Sequence, residues 1–307
     1  MQETSAPATA GKAANMPDLV PLDLAAAPLV NRHLAAHPPE VSELTFTNLY
    51  AWRQGRPVWF MELAETLVFL IRAPENGADQ LLLFGPPVGP LPLATVMAQL
   101  GETVVGGVRQ SAASIAGLDH NLFTIAADRA NSDYIYRVSD LATLAGRNYS
   151  AKRNQIKHCL RDYACVFEPI TAANLDECRE LLNRWCDLRH CELDRGLSGE
   201  WQALQKTMGN FLEFKLLGGL VRVDGAVEAF AIGERLNRDT AVCHFEKSLP
   251  TIMGLGQLIN QWFAAHCLGG FTYINREQDL GIPGLRQAKE SYHPCHLVEK
   301  FTALRTS

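Results

Sequence analysis

The chain has 307 residues, 47% of them hydrophobic and 20% charged. This is enough apolar material for two ordinary domains or one large one, and it excludes a disordered chain. Lysine and arginine number 28 against 33 aspartates and glutamates, a net charge of −5, which excludes a generally basic nucleic-acid coat but not a local basic patch.

Residues 1–17 read as a mobile Ala/Thr/Gly tail without the basic and apolar regions of a secretory signal. Ser42 can cap a short helix carrying Leu49, Tyr50 and Trp52. Residues 57–63 and 66–71 predict two strands joined by a tight turn, and 81–84 a third. The longest uncharged stretch, 80–101, holds Pro86, Pro87, Pro90 and Pro92, so it predicts a strand, a turn and a helix over 92–100 rather than a membrane span. Strands follow at 104–108 and 122–126, and a joint is expected near 131–150. From Gly146 a strongly basic helix runs to Tyr163.

In the second half, 165–170 is a strand. Asn174 and Glu177 mark the start of a helix with Leu175, Cys178, Leu181, Leu182 and Trp185 on one face. Ser198 can cap the next helix, which carries Trp201, Leu204 and Met208. Strands 220–223 and 226–234 flank Asp224-Gly225, a strong hairpin signal. Then come a strand at 241–247, a glycine loop, a helix with Leu258, Ile259, Trp262 and Phe263, a strand at 271–275, a helix at 285–291 and a last strand at 297–303. The fold class is α+β. Two halves are expected, 18–145 and 146–307, each a mixed, mostly antiparallel sheet with helices.

Eight cysteines without a CxxC pair predict reduced thiols. Cys186, His190 and Cys191, and likewise His293, Cys295 and His296, match no usual zinc module, so no metal site is expected.

Four features carry chemistry. Gly254, Leu255, Gly256 and Gln257 open a helix after a strand; glycines there let backbone approach a ligand, and the helix start offers N–H groups to an anion. The same glycines would equally serve a helix start that needs small residues for packing. Arg147, Lys152, Arg153, Lys157 and Arg161 form a basic stripe suited to RNA or lipid phosphates, or a solvated face paired with acids elsewhere. Residues 275–294 gather Glu277, Asp279, Arg286, Lys289, Tyr292 and His293 at a sharp turn, and those groups can move protons or simply pair with one another. His244 and Glu246 share one face at the end of a strand, with Glu246 beside the glycine loop.

The order of hairpin, strand, glycine loop, helix and strand resembles the acyl-donor core of the GNAT acyltransferase fold. More closely, SELTFTNLYAWR, GRNYSAKRNQIKHCLRDY, HFEKS and NREQDLGIPGLRQAKESYHP resemble the bacterial family related to the C-terminal domain of phosphatidylglycerol lysyltransferases. That family is similar to tandem-GNAT proteins, including the Fem-type peptidoglycan aminoacyltransferases. The resemblance implies two GNAT-like halves and a soluble acyl-group transferase, moving an aminoacyl group from aminoacyl-tRNA to an amine, a hydroxyl or a lipid headgroup. It implies no permanently bound cofactor. A coenzyme A-dependent N-acyltransferase, or a binding protein that has lost its chemistry, are the alternatives. Gly254 to Gln257 become the donor-binding loop, although Thr251 stands where many acetyl-CoA users carry Gln or Arg. Glu246, Asp279, Lys289 and Tyr292 become the catalytic candidates, and Arg147, Lys152, Arg153 and Lys157 the RNA- or phosphate-binding ones. The expected location is the bacterial cytoplasm or the inner face of its membrane.

Overall fold

The computed structural model describes residues 19–72 and 80–306, so the expected tail lies outside the described residues. In the first half β1 (Val20–Pro21) leads to α1 (Ala27–Ala36) and α2 (Phe46–Ala51). There follow β2 (Trp59–Leu63), β3 (Thr66–Arg72), β4 (Leu81–Phe84), α3 (Leu93–Leu100), β5 (Val104–Ser111), α4 (Ala112–Ile115) and β6 (Phe123–Ala127). The remainder runs β7 (Asp133–Arg137), α5 (Val138–Thr143), α6 (Ser150–Asp162), β8 (Cys165–Pro169), α7 (Leu175–Arg189), α8 (Arg195–Gly209) and β9 (Leu217–Val223). It continues with β10 (Ala226–Arg235), β11 (Thr240–Ser248), α9 (Leu255–Cys267), β12 (Tyr273–Asn275), α10 (Pro283–Glu290), β13 (His296–Val298) and β14 (Lys300–Arg305). No helix among the described residues is long and apolar enough to cross a membrane.

These elements build two mixed sheets, β1-β2-β3-β4-β5-β14-β6 and β13-β7-β12-β11-β10-β9-β8. Each half repeats one succession: three antiparallel strands, a helix, and a strand parallel to the third. This is β2–β3–β4–α3–β5 in the first half and β9–β10–β11–α9–β12 in the second. Each sheet is buried on both faces. Val30, Leu49, Phe69 and Phe84 lie on one side of the first sheet, and Val68, Leu83, Val96 and Met97 on the other. In the second, α5, α6 and α9 cover one face through Leu141, Ile156 and Phe263, while α7 and α8 cover the other through Leu181 and Leu204, which share a cluster with Phe230 of β10. Asp224 and Gly225 turn the β9–β10 hairpin with φ of 50° and 92°, as its right-handed twist requires.

Sheet membership does not follow the expected division at residue 145. The segment read as a joint contains β7, and β7 pairs with β12 and β13 in the second sheet. The single last strand expected at 297–303 is two strands in two sheets: β13 stays beside β7, and β14 inserts between β5 and β6. At this crossing Lys300 is fully buried, with Nζ 2.5 Å from Glu43 Oε2 and 2.6 Å from Asp133 Oδ1. Burial disfavours its charge, but the two carboxylates outweigh that and raise its pKa.

Asp133 also accepts from the Ser42 N–H and hydroxyl, at 2.8 and 2.9 Å, and from Asn275 Nδ2 at 2.9 Å. Ser42 is therefore not the expected helix cap. Thr45 takes that role and accepts from the Asn48 N–H. The expected capping pair at α7 does not form either, because Glu177 is drawn onto Arg222 at 2.5 Å. Asp194, not Ser198, caps α8. One expectation about thiols fails: Cys186 and Cys191 are joined by a disulfide.

Candidate functional site

The parallel pair β11–β12 is bonded over only three residues, from Thr240 with Tyr273 to Val242 with Asn275. Beyond Val242, β11 continues to Ser248 without that neighbour, so a cleft opens between it and the chain after Asn275. In the first half the equivalent pair stays joined along β4, and Gln110 closes its end by donating to the Gly85 carbonyl at 2.6 Å. The register of β10 on β11 slips at the mouth of the cleft. Ile232 faces Phe245 while Gly233 faces Cys243, leaving His244 as the extra residue of a bulge. Bulges of this kind re-aim side chains.

Charged side chains bridge the cleft. Glu246 binds Arg276 Nη2 at 3.2 Å and accepts from Asn260 Nδ2 of α9 at 2.9 Å. The Arg276 side chain is only 14% exposed. Its guanidinium lies 5.6 Å from the centre of the Tyr136 ring and 5.0 Å from that of Tyr292. Burial, the largest single influence, works against its charge, but Glu246, Tyr136, Tyr292 and Cys243 together outweigh it and hold the pKa above its ordinary value. Lys289 donates to the Arg276 backbone carbonyl. Burial, aided by repulsion from Arg276, pushes its pKa down to about 8. Burial pushes Tyr292 well above 10, so it remains a neutral phenol. Lys152 of α6 donates to Ser291 Oγ at 2.7 Å and lies 4.2 Å from the Tyr292 ring centre.

On the side facing the first half, the His244 ring is sandwiched between two acids. Nδ1 is 2.8 Å from Glu277 Oε1, Nε2 is 2.8 Å from Glu234 Oε1, and Thr45 Oγ1 is 3.4 Å from Nε2. Burial would lower the pKa of the ring. The hydrogen bonds to Glu234 and Glu277 win and raise it to about 9, so the ring is an imidazolium at neutral pH.

The sequence-derived candidates separate on this geometry. Glu246, Lys289 and Tyr292 converge on Arg276. Asp279 does not; it lies beyond Tyr134, which donates to it at 2.6 Å, and it is held by Arg286 at 2.8 Å and Arg129 at 3.0 Å. Burial alone would raise its pKa, but bonds from Arg286, Tyr134 and the Gly281 N–H hold it far below the usual carboxylate range. Asp279 is thus a committed ion-pair acceptor. The pairing expected within 275–294 is present for Arg286 with Asp279. Lys289 meets backbone carbonyls instead, and the Glu277 carboxylate goes to His244.

The glycine loop is explained partly by packing. Gly254 has φ 86°, and a Cβ there would overlap the Gln155 carbonyl of α6. The close backbone approach is therefore made by the protein's own helix. Leu255 is core, whereas Gly256 and Gln257 are half-exposed in the first turn of α9, with Gly256 against Ser248. The basic stripe is also divided. Arg153 donates to the Leu144 and Gly146 carbonyls, and Lys152 is engaged at Ser291, while Arg147 and Lys157 are exposed. Among the described residues no group of three or more His, Cys, Asp or Glu could hold a metal ion.

Arg276, Asn260, Tyr136 and Glu234 were not anticipated. A charged residue directly after a short buried strand was the available signal for Arg276.

Residues 35–304 match the family described as phosphatidylglycerol lysyltransferase, C-terminal. The chain belongs to this family. A crystal structure of a conserved protein of unknown function from Bacteroides thetaiotaomicron is similar to this family member, with 34% identity, a TM-score of 0.85, and coverage of 93% of this chain and 98% of that one. The C-terminal domain of a putative lysylphosphatidylglycerol synthetase from Agrobacterium fabrum is similar at 14% identity and a TM-score of 0.63, over 92% of each chain. FemX is similar at 9% identity and a TM-score of 0.58, over 94% of this chain and 97% of the other. No curated protein matches the sequence. The family member has the expected architecture of two GNAT-like halves.

Proposed function

We propose that this protein transfers an aminoacyl group from aminoacyl-tRNA to an amine or hydroxyl acceptor, in the cleft where β11 and β12 part. The observation that carries the reading is the convergence of Glu246, Lys289 and Tyr292 around Arg276 in that cleft. A fold retained only for binding would not need a buried arginine between an acid, a lysine of lowered pKa and a neutral phenol. Family membership supports aminoacyl transfer as the chemistry.

In this reading the acceptor attacks the carbonyl carbon of the aminoacyl ester. Glu246 takes the proton released from the nucleophile, the new amide or ester bond forms, and the bond to the ribose oxygen breaks. Lys289, with a pKa near working pH, returns a proton to that oxygen. First-turn N–H groups of α9 at Gly256 and Gln257 face the developing oxyanion. The ester is already activated, so holding donor and acceptor together supplies much of the rate. Lys157 and Arg147 meet tRNA phosphates. Lys152 and Arg153 support that helix from within. In this reading the work is done in the cytoplasm or at the inner membrane face.

The test is discharge of a charged-tRNA pool by purified protein with candidate acceptors, with acyl-coenzyme A thioesters as competing donors. Glu246→Gln should lower turnover by at least about a hundredfold, as expected for loss of a general base. Discharge equal with and without the protein, or unchanged in Glu246→Gln, overturns the reading. Transfer from thioesters but not from tRNA moves the protein to coenzyme A chemistry.

A further inference from the structure

A separate cavity of about 360 Å³ opens between α1–α2 and the β10–β11 hairpin, where the two halves meet. Glu234 and Thr45 line it and are the residues that also hold His244 Nε2, at 2.8 and 3.4 Å. The ring occupies Glu234 Oε1, yet the Glu234 side chain keeps 16% of its surface exposed. Leu34, Leu44 and Leu236 contribute apolar walls. Of the two arginines in the lining, Arg235 is engaged, donating to the Asn237 and Arg238 carbonyls and lying over Phe271, and Arg238 is exposed.

We propose that this cavity binds a primary aliphatic amine with an anionic group at its far end, the ammonium on Glu234 and the anion at Arg238. Charge complementarity selects this occupant. A simple anion would meet the Glu234 carboxylate. A plain hydrocarbon would strip water from that carboxylate and return no hydrogen bond. An ammonium makes a charge-assisted bond to it, while an alkyl body covers the leucine walls. At roughly 30 Å³ per water-sized group, the volume admits about twelve non-hydrogen atoms. The proposal goes beyond the transferase reading. The cavity lies apart from the Glu246–Arg276 cleft, and binding there requires neither tRNA nor transfer.

Calorimetric titration with 6-aminohexanoate, hexylamine and hexanoate tests it directly. 6-Aminohexanoate should bind the full-length protein, and each truncated analogue should bind at least about tenfold more weakly, as for loss of one charge-assisted contact. Glu234→Gln should reduce 6-aminohexanoate to the affinity of hexanoate, and Arg238→Ala should reduce it to that of hexylamine. Ala35→Trp, on the exposed α1 wall of the cavity and away from His244, should block all three ligands without changing the unfolding temperature. Equal affinities for the three ligands, undiminished binding in a folded Glu234→Gln or Ala35→Trp variant, or no binding of 6-aminohexanoate to the wild type overturns the proposal. These outcomes are independent of whether the protein discharges aminoacyl-tRNA.

Discussion

Titration of His244 should make the stability of this protein depend on pH in a defined direction. The ring is fully buried, and its pKa rises from an ordinary 6.5 to about 9 in the fold. The folded state thus holds the proton more tightly than the unfolded state. The imidazolium contributes its full stabilisation below about pH 6.5 and loses it as pH rises through about 9. At about 1.4 kcal/mol for each pH unit between those values, the contribution is on the order of 3 kcal/mol. The assay is urea unfolding of wild type and His244→Gln at steps from about pH 6 to about pH 10. Other titrating groups are common to both proteins, so the difference in unfolding free energy isolates the ring. That difference should shrink by about 3 kcal/mol across the range, with most of the fall on the alkaline side of neutrality. A difference that is flat with pH, or that grows as pH rises, refutes the assignment of a charged imidazolium between Glu234 and Glu277.

Lys300→Met should cost about 3–5 kcal/mol, because it leaves Glu43 and Asp133 buried without their counter-charge; chemical denaturation measures it, and a loss below about 1 kcal/mol contradicts the network. Gly254→Ala should destabilise by more than about 1 kcal/mol, because both its φ and the Gln155 carbonyl oppose a side chain; an unchanged melting temperature would show that the loop relaxes freely. Lys157→Glu should weaken tRNA binding and flatten its salt dependence, whereas Arg153→Ala should act mainly on stability through the Leu144 and Gly146 carbonyls; filter binding across a salt series separates the two. If Lys289 supplies the proton to the leaving oxygen, transfer should fall as pH rises through about 8, and Lys289→Met should lose that limb of the pH–rate profile.

Much of the fold was legible because local signals and burial agree. The Asp224-Gly225 turn, the apolar face of α7 and the proline-punctuated stretch between β4 and α3 all form as their chemistry dictates. Failures cluster where a long-range partner outbids a local one. Ser42 was read as a cap and is taken by Asp133, 91 residues away. Glu177 was read as a capping partner and is taken by Arg222. The run containing β13 and β14 reads as one strand, because nothing in the sequence marks the point at which its neighbours change. Near the glycine loop, strand alternation put His244 and Glu246 on one face, but the bulge at His244 breaks the alternation, turning His244 to Glu234 and Glu277 and Glu246 to Asn260 and Arg276. Arg276 was not legible, since its importance comes from Tyr136 and Tyr292, which fold against it from distant segments. Asp279 looked like an acid in a catalytic cluster, and only its three-sided hydrogen bonding shows that it is structural.

The placement of β14 also bears on how the protein is made. During synthesis β5 and β6 emerge early, yet the strand that lies between them is encoded some 170 residues later. Until Lys300–Arg305 leaves the ribosome, the first sheet holds an open slot flanked by unpaired backbone, and β6 has no neighbour to bond. Such edges are templates for the wrong partner. Folding of the amino-terminal half therefore waits on the carboxyl-terminal residues. A nascent chain stalled before residue 300 would hold its first sheet incomplete, exposed to chaperones and to other copies of itself.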